Sequence, residues 1–484
     1  MAHDIAQTLA KSHRGLVVAP AGCGKTRLIA DAVNCDRDRQ LVLTHTHAGV
    51  RAILDHLNTV GVSISRVRVT NIDSFALRYA NAFPNLSGWY TREPKDDQWP
   101  EIHTAAKRAF QCRAVQRILH ATYRGIYVDE YQDCSAGQHA LVSTLAVILP
   151  CRILGDPLQA IFRQVHKDTF LNWALAETEF DKIGELSVPH RWKGRNEALG
   201  EWLLDVRKRI ETGAEIDLQQ ACLNWRSYTD EPNQIAACKA LLTKKGDKVI
   251  AVRQWRPQCY KLAGNLGNAY ISMETVDCQD LQDWCERLEG SSGVARLEMI
   301  AHFAEECLTR LSSDVRAYPQ KIRAKKKLTP QKPDRKALLV QMREVVRDNA
   351  LSAVDRLLTA YTGLTENPVF KRRELWSEMR RALHRHKGMT GKTLRETAWS
   401  LRETARRIGR TVPHHCISTT LLVKGLQFDH AVILNLKDFQ DAENAYVAMT
   451  RGAHTLTILP DSQKVRFEKP HYSRQDISAD STER

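Results

Sequence analysis

Short apolar runs alternate with amphipathic stretches along residues 1–190. A short apolar run has the length of a buried strand, whereas apolar positions three and four residues apart are typical of helices. The alternation therefore predicts an α/β fold with a parallel sheet, and open sheets of this kind bind ligands at the carboxyl ends of their strands. The predicted strands are residues 15–19, 40–44, 66–70, 125–129 and 151–155.

A second group of strand-like runs lies on both sides of a long helical stretch. These runs, at residues 248–252, 415–418, 431–435 and 455–459, predict a second α/β unit. A helical insertion at about residues 271–410 divides this unit, because that region lacks strand alternation. Its apolar residues recur at helical spacing, for example in 337–358 and 393–408.

Composition excludes several classes of protein. The 484 residues are 43% hydrophobic and 26% charged, which is ordinary for a soluble globular protein. No apolar run approaches the roughly 20 residues of a membrane span, and the N-terminus does not resemble a signal peptide, so a cytoplasmic location is expected. The 12 cysteines form no Cys-x-x-Cys motif. We therefore expect reduced thiols, with neither structural zinc nor an iron–sulfur cluster.

A phosphate-binding loop follows the first predicted strand. Residues 19–26 read Ala-Pro-Ala-Gly-Cys-Gly-Lys-Thr, which is the Gly-x-x-x-x-Gly-Lys-Thr pattern with Ala in its first position. Such a loop places backbone N–H groups and a lysine on nucleotide phosphates and a hydroxyl on Mg²⁺. We therefore expect ATP and Mg²⁺ as cofactors, with Thr26 as a metal ligand. The expected nucleotide contacts are consecutive in the chain: Ala21, Gly22, Cys23, Gly24, Lys25, Thr26 and Arg27.

An acidic pair ends another predicted strand. Asp129 and Glu130 follow the apolar residues 126–128 directly. Asp129 is expected to hold Mg²⁺ through water, and Glu130 to orient and deprotonate the attacking water. A helix cap would explain one acidic residue but not the whole run from Asp129 to Asp133.

Together these segments resemble the UvrD/Rep/RecB branch of superfamily-one DNA helicases. Residues 128–133 are similar to the family's Walker B motif, and its motifs III to VI are matched in order by 155–162, 186–191, 419–428 and 445–453. The resemblance implies two RecA-like parallel-sheet P-loop domains with helical insertions. The implied division is 1–76 and 121–185 for domain 1A, 77–120 for a short 1B, 186–270 and 411–470 for 2A, 271–410 for a basic 2B and 471–484 for a tail.

The resemblance also implies roles for residues outside the phosphate loop. Gln159 would sense the γ-phosphate, and Arg191 and Arg451 would supply positive charge to the transition state as arginine fingers. Gln7 would read the adenine ring. Two further nucleotide contacts would come from motif V, at Gly425 and Gln427.

The same resemblance implies a track for single-stranded DNA. Relatives bind phosphates with hydroxyl groups and stack aromatic rings on bases. Several departures from the family pattern reduce the number of expected DNA contacts. Gln164 and Val165 replace an aromatic residue and an arginine, and Leu421 and Gln427 replace the usual His and Glu. The implied DNA contacts in the motif Ia, Ib and III loops are Thr44, His45, Thr46, Ser74, Phe75 and Phe162.

The positive charge is concentrated in the insertion. The chain has 71 Lys and Arg against 56 Asp and Glu, a net charge of +15. Residues 321–336 have a net charge of +7 and residues 371–410 of +9, so the remainder is close to neutral. A charged run is often only a solvated helix face, but concentration in one insertion favours contact with DNA phosphates. Lys325, Lys326 and Lys327 are the expected contacts.

Two functions remain open on the sequence alone. The first is an ATP-dependent translocase or helicase that moves 3′ to 5′ on single-stranded or tailed duplex DNA, as in DNA repair. The second is a DNA-regulated NTPase subunit of a larger assembly with little unwinding activity of its own, such as a Gabija-type phage-defence complex with a nuclease partner. The thinned DNA motifs and the short 1B segment motivate the second, but the first is the leading hypothesis. A nucleic-acid scaffold without catalysis is disfavoured because the ATPase residues are all present.

Overall fold

The protein forms two compact units in the computed structural model. The first comprises Met1–Ser227, Lys424–Gln427 and Leu436–Arg484, and the second comprises Tyr228–Val423 and Phe428–Asn435. The predicted 1A, 1B, 2A and 2B boundaries stay a prediction. The structure describes residues 2–91, 98–164, 171–226, 230–243, 246–274, 279–348, 350–387, 391–408, 412–439, 441–470 and 472. Val165 and nearly all of the predicted tail lie outside these ranges.

Sixteen strands are present in the described residues. They are β1 Arg14–Val18, β2 Gln40–Thr44, β3 Val67–Asn71, β4 Gly125–Val128, β5 Cys151–Gly155, β6 Asp181–Glu185, β7 Ile216–Asp217, β8 Asn224–Trp225, β9 Val249–Val252, β10 Ile271–Ser272, β11 Leu308–Thr309, β12 Val369–Phe370, β13 His415–Ser418, β14 Phe428–Ile433, β15 Gly452–Ile458 and β16 Lys464–Val465.

Twenty-one α-helices accompany the strands in the described residues. They are α1 Ala2–Lys11, α2 Lys25–Cys35, α3 His47–Thr59, α4 Ile72–Ala82, α5 Pro84–Ser87, α6 Trp99–Gln111, α7 Arg113–Thr122, α8 Ala136–Ile148, α9 Trp173–Glu179, α10 Glu197–Thr212, α11 Glu231–Ala240, α12 Arg256–Asn265, α13 Gln279–Glu289, α14 Gly293–Cys307, α15 Ser313–Arg323, α16 Pro333–Arg347, α17 Leu351–Thr362, α18 Arg373–His386, α19 Leu394–Ile408, α20 Thr420–Val423 and α21 Ala442–Met449. No described helix is both long and apolar enough to cross a membrane.

The first unit is built on a parallel sheet with the strand order β3-β2-β4-β5-β1-β6. Strands β2, β4 and β5 are buried along their whole length, as expected where helices cover both faces of a sheet. The five strands predicted in this region are confirmed to within one residue at each end. The sixth strand, β6, was not predicted, because an exposed edge strand does not require an apolar sequence.

In the second unit, β10, β13, β9 and β14 lie side by side in that order and are parallel. The helical insertion is confirmed and comprises α13 to α19, which share one apolar core. Within that core the rings of Phe303 and Trp376 stack with their centroids 5.6 Å apart. Strands β11 and β12 pair inside the insertion but are too short to show alternation in the sequence. The predicted α/β fold with two parallel sheets and a helical insertion is thus confirmed.

Candidate nucleotide and nucleic-acid site

The phosphate loop of the first unit joins β1 to α2 and requires its glycines. Gly22 and Gly24 have φ angles of +73° and +87°, which favour glycine over any residue with a side chain. A Cβ atom on Gly22 would lie 2.6 Å from Cζ3 of Trp192. Because α2 begins at Lys25, its free N–H groups and its dipole form an anion site beside the loop. The two glycines are therefore required by the backbone of this loop, while phosphate binding by the loop stays a prediction.

Lys25 contacts both members of the acidic pair. Its Nζ lies 2.5 Å from Oε2 of Glu130 and 3.7 Å from Oδ1 of Asp129. Burial raises the pKa of the Asp129 carboxyl despite the nearby ammonium group. Burial opposes ionisation of Glu130 as well, but the charges of Lys25 and Lys424 lower the pKa of Glu130 below its usual value. At neutral pH Glu130 is therefore the ionised partner of Lys25.

Glu130 has a strained backbone. Its φ angle is 54°, in the left-handed region that side chains other than glycine rarely adopt. Such residues cost roughly 1–3 kcal/mol and cluster at active sites, where the surrounding structure holds them in place. Here the Glu130 amide donates to Oδ1 of Asp129 at 2.9 Å, and Nε2 of Gln132 donates to Oε2 of Glu130 at 2.5 Å. These contacts hold the Glu130 backbone and carboxylate in one orientation.

A buried chain of hydrogen bonds extends from Glu130 to Arg451. Oε1 of Gln132 accepts from the Asp156 amide at 3.0 Å, and Asp156 in turn accepts from Nε2 of Gln159 at 2.7 Å. Oε1 of Gln159 then lies 3.4 Å from a terminal nitrogen of Arg451. Three candidates from separate motifs are therefore connected within one unit.

The two arginine candidates differ in what their guanidinium groups contact. Arg451 is buried and donates to the carbonyl oxygens of Val447 at 2.8 Å and Leu426 at 3.1 Å. Arg191 donates to the Thr450 carbonyl oxygen, while its buried Nε has no hydrogen-bond partner among the described residues. Burial lowers the pKa of Arg191 to about 10 and that of Arg451 to about 9, so both remain charged at neutral pH.

A cavity of about 1030 Å³ adjoins the phosphate loop. Gln7 of α1 lines it together with the loop residues Cys23 and Gly24 and with Arg27, so the adenine-reading candidate and the loop face the same space. Gly425 and Gln427 are exposed and flank Leu426, whose carbonyl oxygen accepts from Arg451.

The donor set beside the loop fits Mg²⁺. The Thr26 hydroxyl and the Asp129 carboxylate are hard oxygen donors, the kind that this cation prefers. Thr26 is the second residue of α2 and follows Lys25, whose ammonium lies 3.7 Å from the Asp129 carboxylate at the end of β4.

The predicted DNA contacts divide into exposed and buried residues. Thr46 and Ser74 are exposed at the starts of α3 and α4, and Phe162 is partly exposed. Thr44 is only 2% exposed, and His45 lies 3.7 Å from the thiol of Cys134, with burial lowering its pKa. The prediction that Phe75 contacts DNA is wrong, because its ring is buried.

Phe75 is only 1% exposed, and its ring packs in the first core. Its centroid lies 4.9 Å from that of Tyr79 and 6.1 Å from that of Phe110. A ring enclosed in this way has no free face for a base. The apolar face of α4 explains the position better than a nucleic-acid contact does.

Several residues of the site were missed by the sequence-based reasoning. Lys424 is almost fully buried, and its ammonium contacts a carboxylate oxygen of Asp133 and the Gln159 carbonyl oxygen. It also lies 5.0 Å from the centre of the Phe162 ring. Arg207 of α10 forms a buried ion pair of 2.5 Å with Asp156. The signal for Lys424 was its place in the motif V segment, whereas Arg207 lies outside every motif.

The insertion lysines Lys325, Lys326 and Lys327 are exposed. No ion pair is present for them within the described residues, whereas many arginines of the insertion are paired. Arg372 contacts Glu274, Asp280 and Glu306, and similar pairs involve Arg335, Arg380, Arg381 and Arg395. The number of cations open to a ligand is therefore smaller than the number of Lys and Arg residues in the insertion.

The comparison with known families supports the family resemblance in the region that contains the acidic pair. Residues 98–173 match the model of the UvrD/REP helicase N-terminal domain. This segment is UvrD/REP-like. It includes β4, the acidic pair and Gln159, and the resemblance inferred from the motifs is confirmed there. Among curated proteins, none matches the chain significantly.

Several solved structures are similar to this chain. A Pif1 helicase from Candida albicans is 11% identical, covers 96% of this chain and 95% of its own, and has a TM-score of 0.39. An arterivirus nonstructural protein 10 helicase with DNA is 14% identical (52% and 49% covered, TM-score 0.27). A Bacteroides Pif1 helicase with ADP-AlF3 and single-stranded DNA is 11% identical (54% and 55%, TM-score 0.28). The chain thus spans about half the length of the last two.

Proposed function

We propose that this protein is an ATP-driven motor on single-stranded DNA that moves 3′ to 5′ and separates tailed duplexes. The observation that carries the proposal is the contact of the Lys25 ammonium with Glu130 and Asp129 beside the cavity lined by Gln7. A phosphate loop alone binds many nucleotides, but a lysine, two carboxylates and a connected arginine make up a hydrolytic site.

ATP would enter the cavity with its phosphates on the loop N–H groups of residues 22–26. Lys25 would then exchange its carboxylate partners for phosphate oxygens, which frees Glu130 to orient and deprotonate water. Thr26 and Asp129 would hold Mg²⁺, which neutralises phosphate charge. The unpartnered Nε of Arg191 supports its role as a donor to the phosphate.

Coupling to DNA would pass through the buried polar residues between the nucleotide and the candidate DNA contacts. Gln159 belongs to both regions, because its side chain bonds Asp156 and its carbonyl oxygen accepts from Lys424. Lys424 in turn lies against Phe162, the most accessible aromatic candidate for a base contact. A shift of Gln159 would therefore displace groups at both places.

The decisive experiment measures phosphate release by the purified full chain with and without single-stranded DNA. We expect stimulation by DNA in the wild type and loss of turnover in Glu130→Gln. Turnover that is indifferent to DNA would overturn the motor proposal. Polarity is then measured on duplexes with a 3′ or a 5′ tail, and unwinding of only the 5′-tailed substrate would contradict the proposed direction.

The second candidate function, a DNA-regulated NTPase subunit of a nuclease assembly, gains support from the burial of Phe75, which leaves fewer stacking groups. DNA-stimulated hydrolysis without strand separation would favour this candidate over an independent helicase. Co-purification of the full chain with a nuclease would then identify its partner.

A further inference from the structure

An exposed tryptophan lies at the carboxyl edge of the sheet in the second unit. Trp255 is 58% exposed, although large aromatic side chains are usually buried. It directly precedes α12 and is separated from β9 by two intervening residues, and its side chain makes no capping hydrogen bond. Neither packing nor capping therefore accounts for this residue.

The position of Trp255 is fixed by two paired strands. The last residues of β9 and β13, Val252 and Ser418, are partners in the parallel ladder. The Arg253 amide then donates to the Ser418 carbonyl oxygen at 3.0 Å. Residues 253–256 and the motif V segment that begins at Thr419 therefore leave the sheet side by side. Open parallel sheets bind their ligands at this edge.

The neighbours of Trp255 supply cationic groups. Arg256 is exposed, and Arg253 donates to the side-chain oxygen of Gln234. Single-stranded nucleic acid presents phosphates to such cations and flat bases to an indole ring.

We propose that Trp255 stacks on a base of single-stranded nucleic acid and that Arg256 contacts an adjacent phosphate. The proposal rests on the proposed function, because the same strand edge would receive the translocated strand. Base stacking on an aromatic ring and a cation on the phosphate are the two elements of sequence-tolerant binding to single strands. This contact would compensate for the aromatic residue and the arginine that Gln164 and Val165 replace.

A protein partner is the other class of ligand that an exposed tryptophan suits. Nucleic acid is favoured because Trp255 lies between Arg253 and Arg256 in the sequence, and these cations suit a phosphate backbone better than an apolar protein surface. The test therefore measures affinity for the base itself.

The experiment measures binding of the full chain to fluorescent oligo(dT) and to the same oligonucleotide with abasic sites, at one salt concentration. We expect Trp255→Ala to weaken binding of oligo(dT) by roughly 5- to 150-fold, the range for one lost stack. Trp255→Phe should retain most of the affinity. On the abasic strand, wild type and Trp255→Ala should differ little. The matched control is Val340→Ala, a half-exposed apolar residue on α16 of the same unit, which should change neither affinity.

Equal oligo(dT) affinity of wild type and Trp255→Ala would overturn the stacking proposal and favour a protein surface, while DNA-stimulated ATPase in the wild type would leave the motor proposal intact. A loss of the same size on the abasic strand would also overturn stacking. Conversely, base-dependent loss of affinity in a protein whose ATPase ignores DNA would support Trp255 and refute the motor. No binding by the wild type would refute both.

Discussion

Arg207 and Arg209 are two residues apart on α10 and make ion pairs of nearly equal length. Arg207 lies 2.5 Å from Asp156, and Arg209 lies 2.6 Å from Asp205. The side chains of the first pair are 4% and 0% exposed, whereas those of the second are 46% and 52% exposed. The two pairs therefore differ in burial, although Arg207 also lies 3.2 Å from Glu211 and 3.8 Å from Glu185. Replacing each arginine by Met tests what the buried arginine contributes beyond the exposed one.

Arg207→Met would leave the carboxylate of Asp156 buried without its cation. Breaking a buried pair in this way costs roughly 3–5 kcal/mol, because the remaining carboxylate keeps its hydrogen bond from Gln159 but loses the cation that balances its charge. At about 2–4 °C per kcal/mol for a unit of this size, the thermal midpoint should fall by roughly 6–20 °C. Arg209→Met should change the midpoint little, since many exposed pairs contribute nothing measurable.

The assay is thermal and urea unfolding of both variants without nucleotide, followed by circular dichroism. The double variant Arg207→Met with Asp156→Asn should lose less than the sum of the two single variants, because neutralising both partners removes the unpaired charge. Equal midpoints for the Arg207 and Arg209 variants would refute the reasoning, and so would additivity in the double variant.

The remaining predictions concern the nucleotide site and the basic insertion. Lys25→Ala should abolish nucleotide binding, whereas Glu130→Gln should bind a fluorescent ATP analogue without turnover; normal phosphate release in either would contradict the assignments. Because burial raises the pKa of Asp129 and the ionised form is needed for the metal, ATPase activity should fall on acidification at a higher pH than for an ordinary aspartate, and an acid limb at the usual aspartate pKa would exclude this cause. Replacing Lys325, Lys326 and Lys327 by Gln should lower the slope of log affinity against log salt by up to about 2 for single strands, with unchanged DNA-free ATPase. Lys437→Gln, an exposed lysine paired with Asp461, is the control for that variant, and an unchanged slope would identify the lysine run as a solvated face.

The parts of the fold that could be predicted are those that depend on residues close together in the sequence. The phosphate loop, the acidic pair and the strands of the first sheet depend on local spacing, so their positions agree with the structure. Arg207 and Lys424 could not be found in this way, because their partners Asp156 and Asp133 lie 51 and 291 residues away. Phe75, by contrast, was assigned a contact that it does not make, rather than being missed. A motif-like aromatic residue was assigned to DNA although the apolar face of α4 buries it.

The run from Asp129 to Asp133 places the candidate nucleotide and strand contacts on one short turn. At one end Glu130 pairs with Lys25 of the phosphate loop, and at the other Asp133 pairs with Lys424, which lies against Phe162. Burial raises the pKa of Asp133, so that its charge depends on the lysine beside it. Between them Gln132 bonds both Glu130 and the Asp156 amide. A ligand that withdraws either lysine would leave a buried carboxylate without its cation, and the turn would have to adjust because an unpaired buried charge is costly. Nucleotide binding at Lys25 and strand binding near Lys424 would thereby act on the same few residues, which is the short route that coupling between ATP and DNA requires.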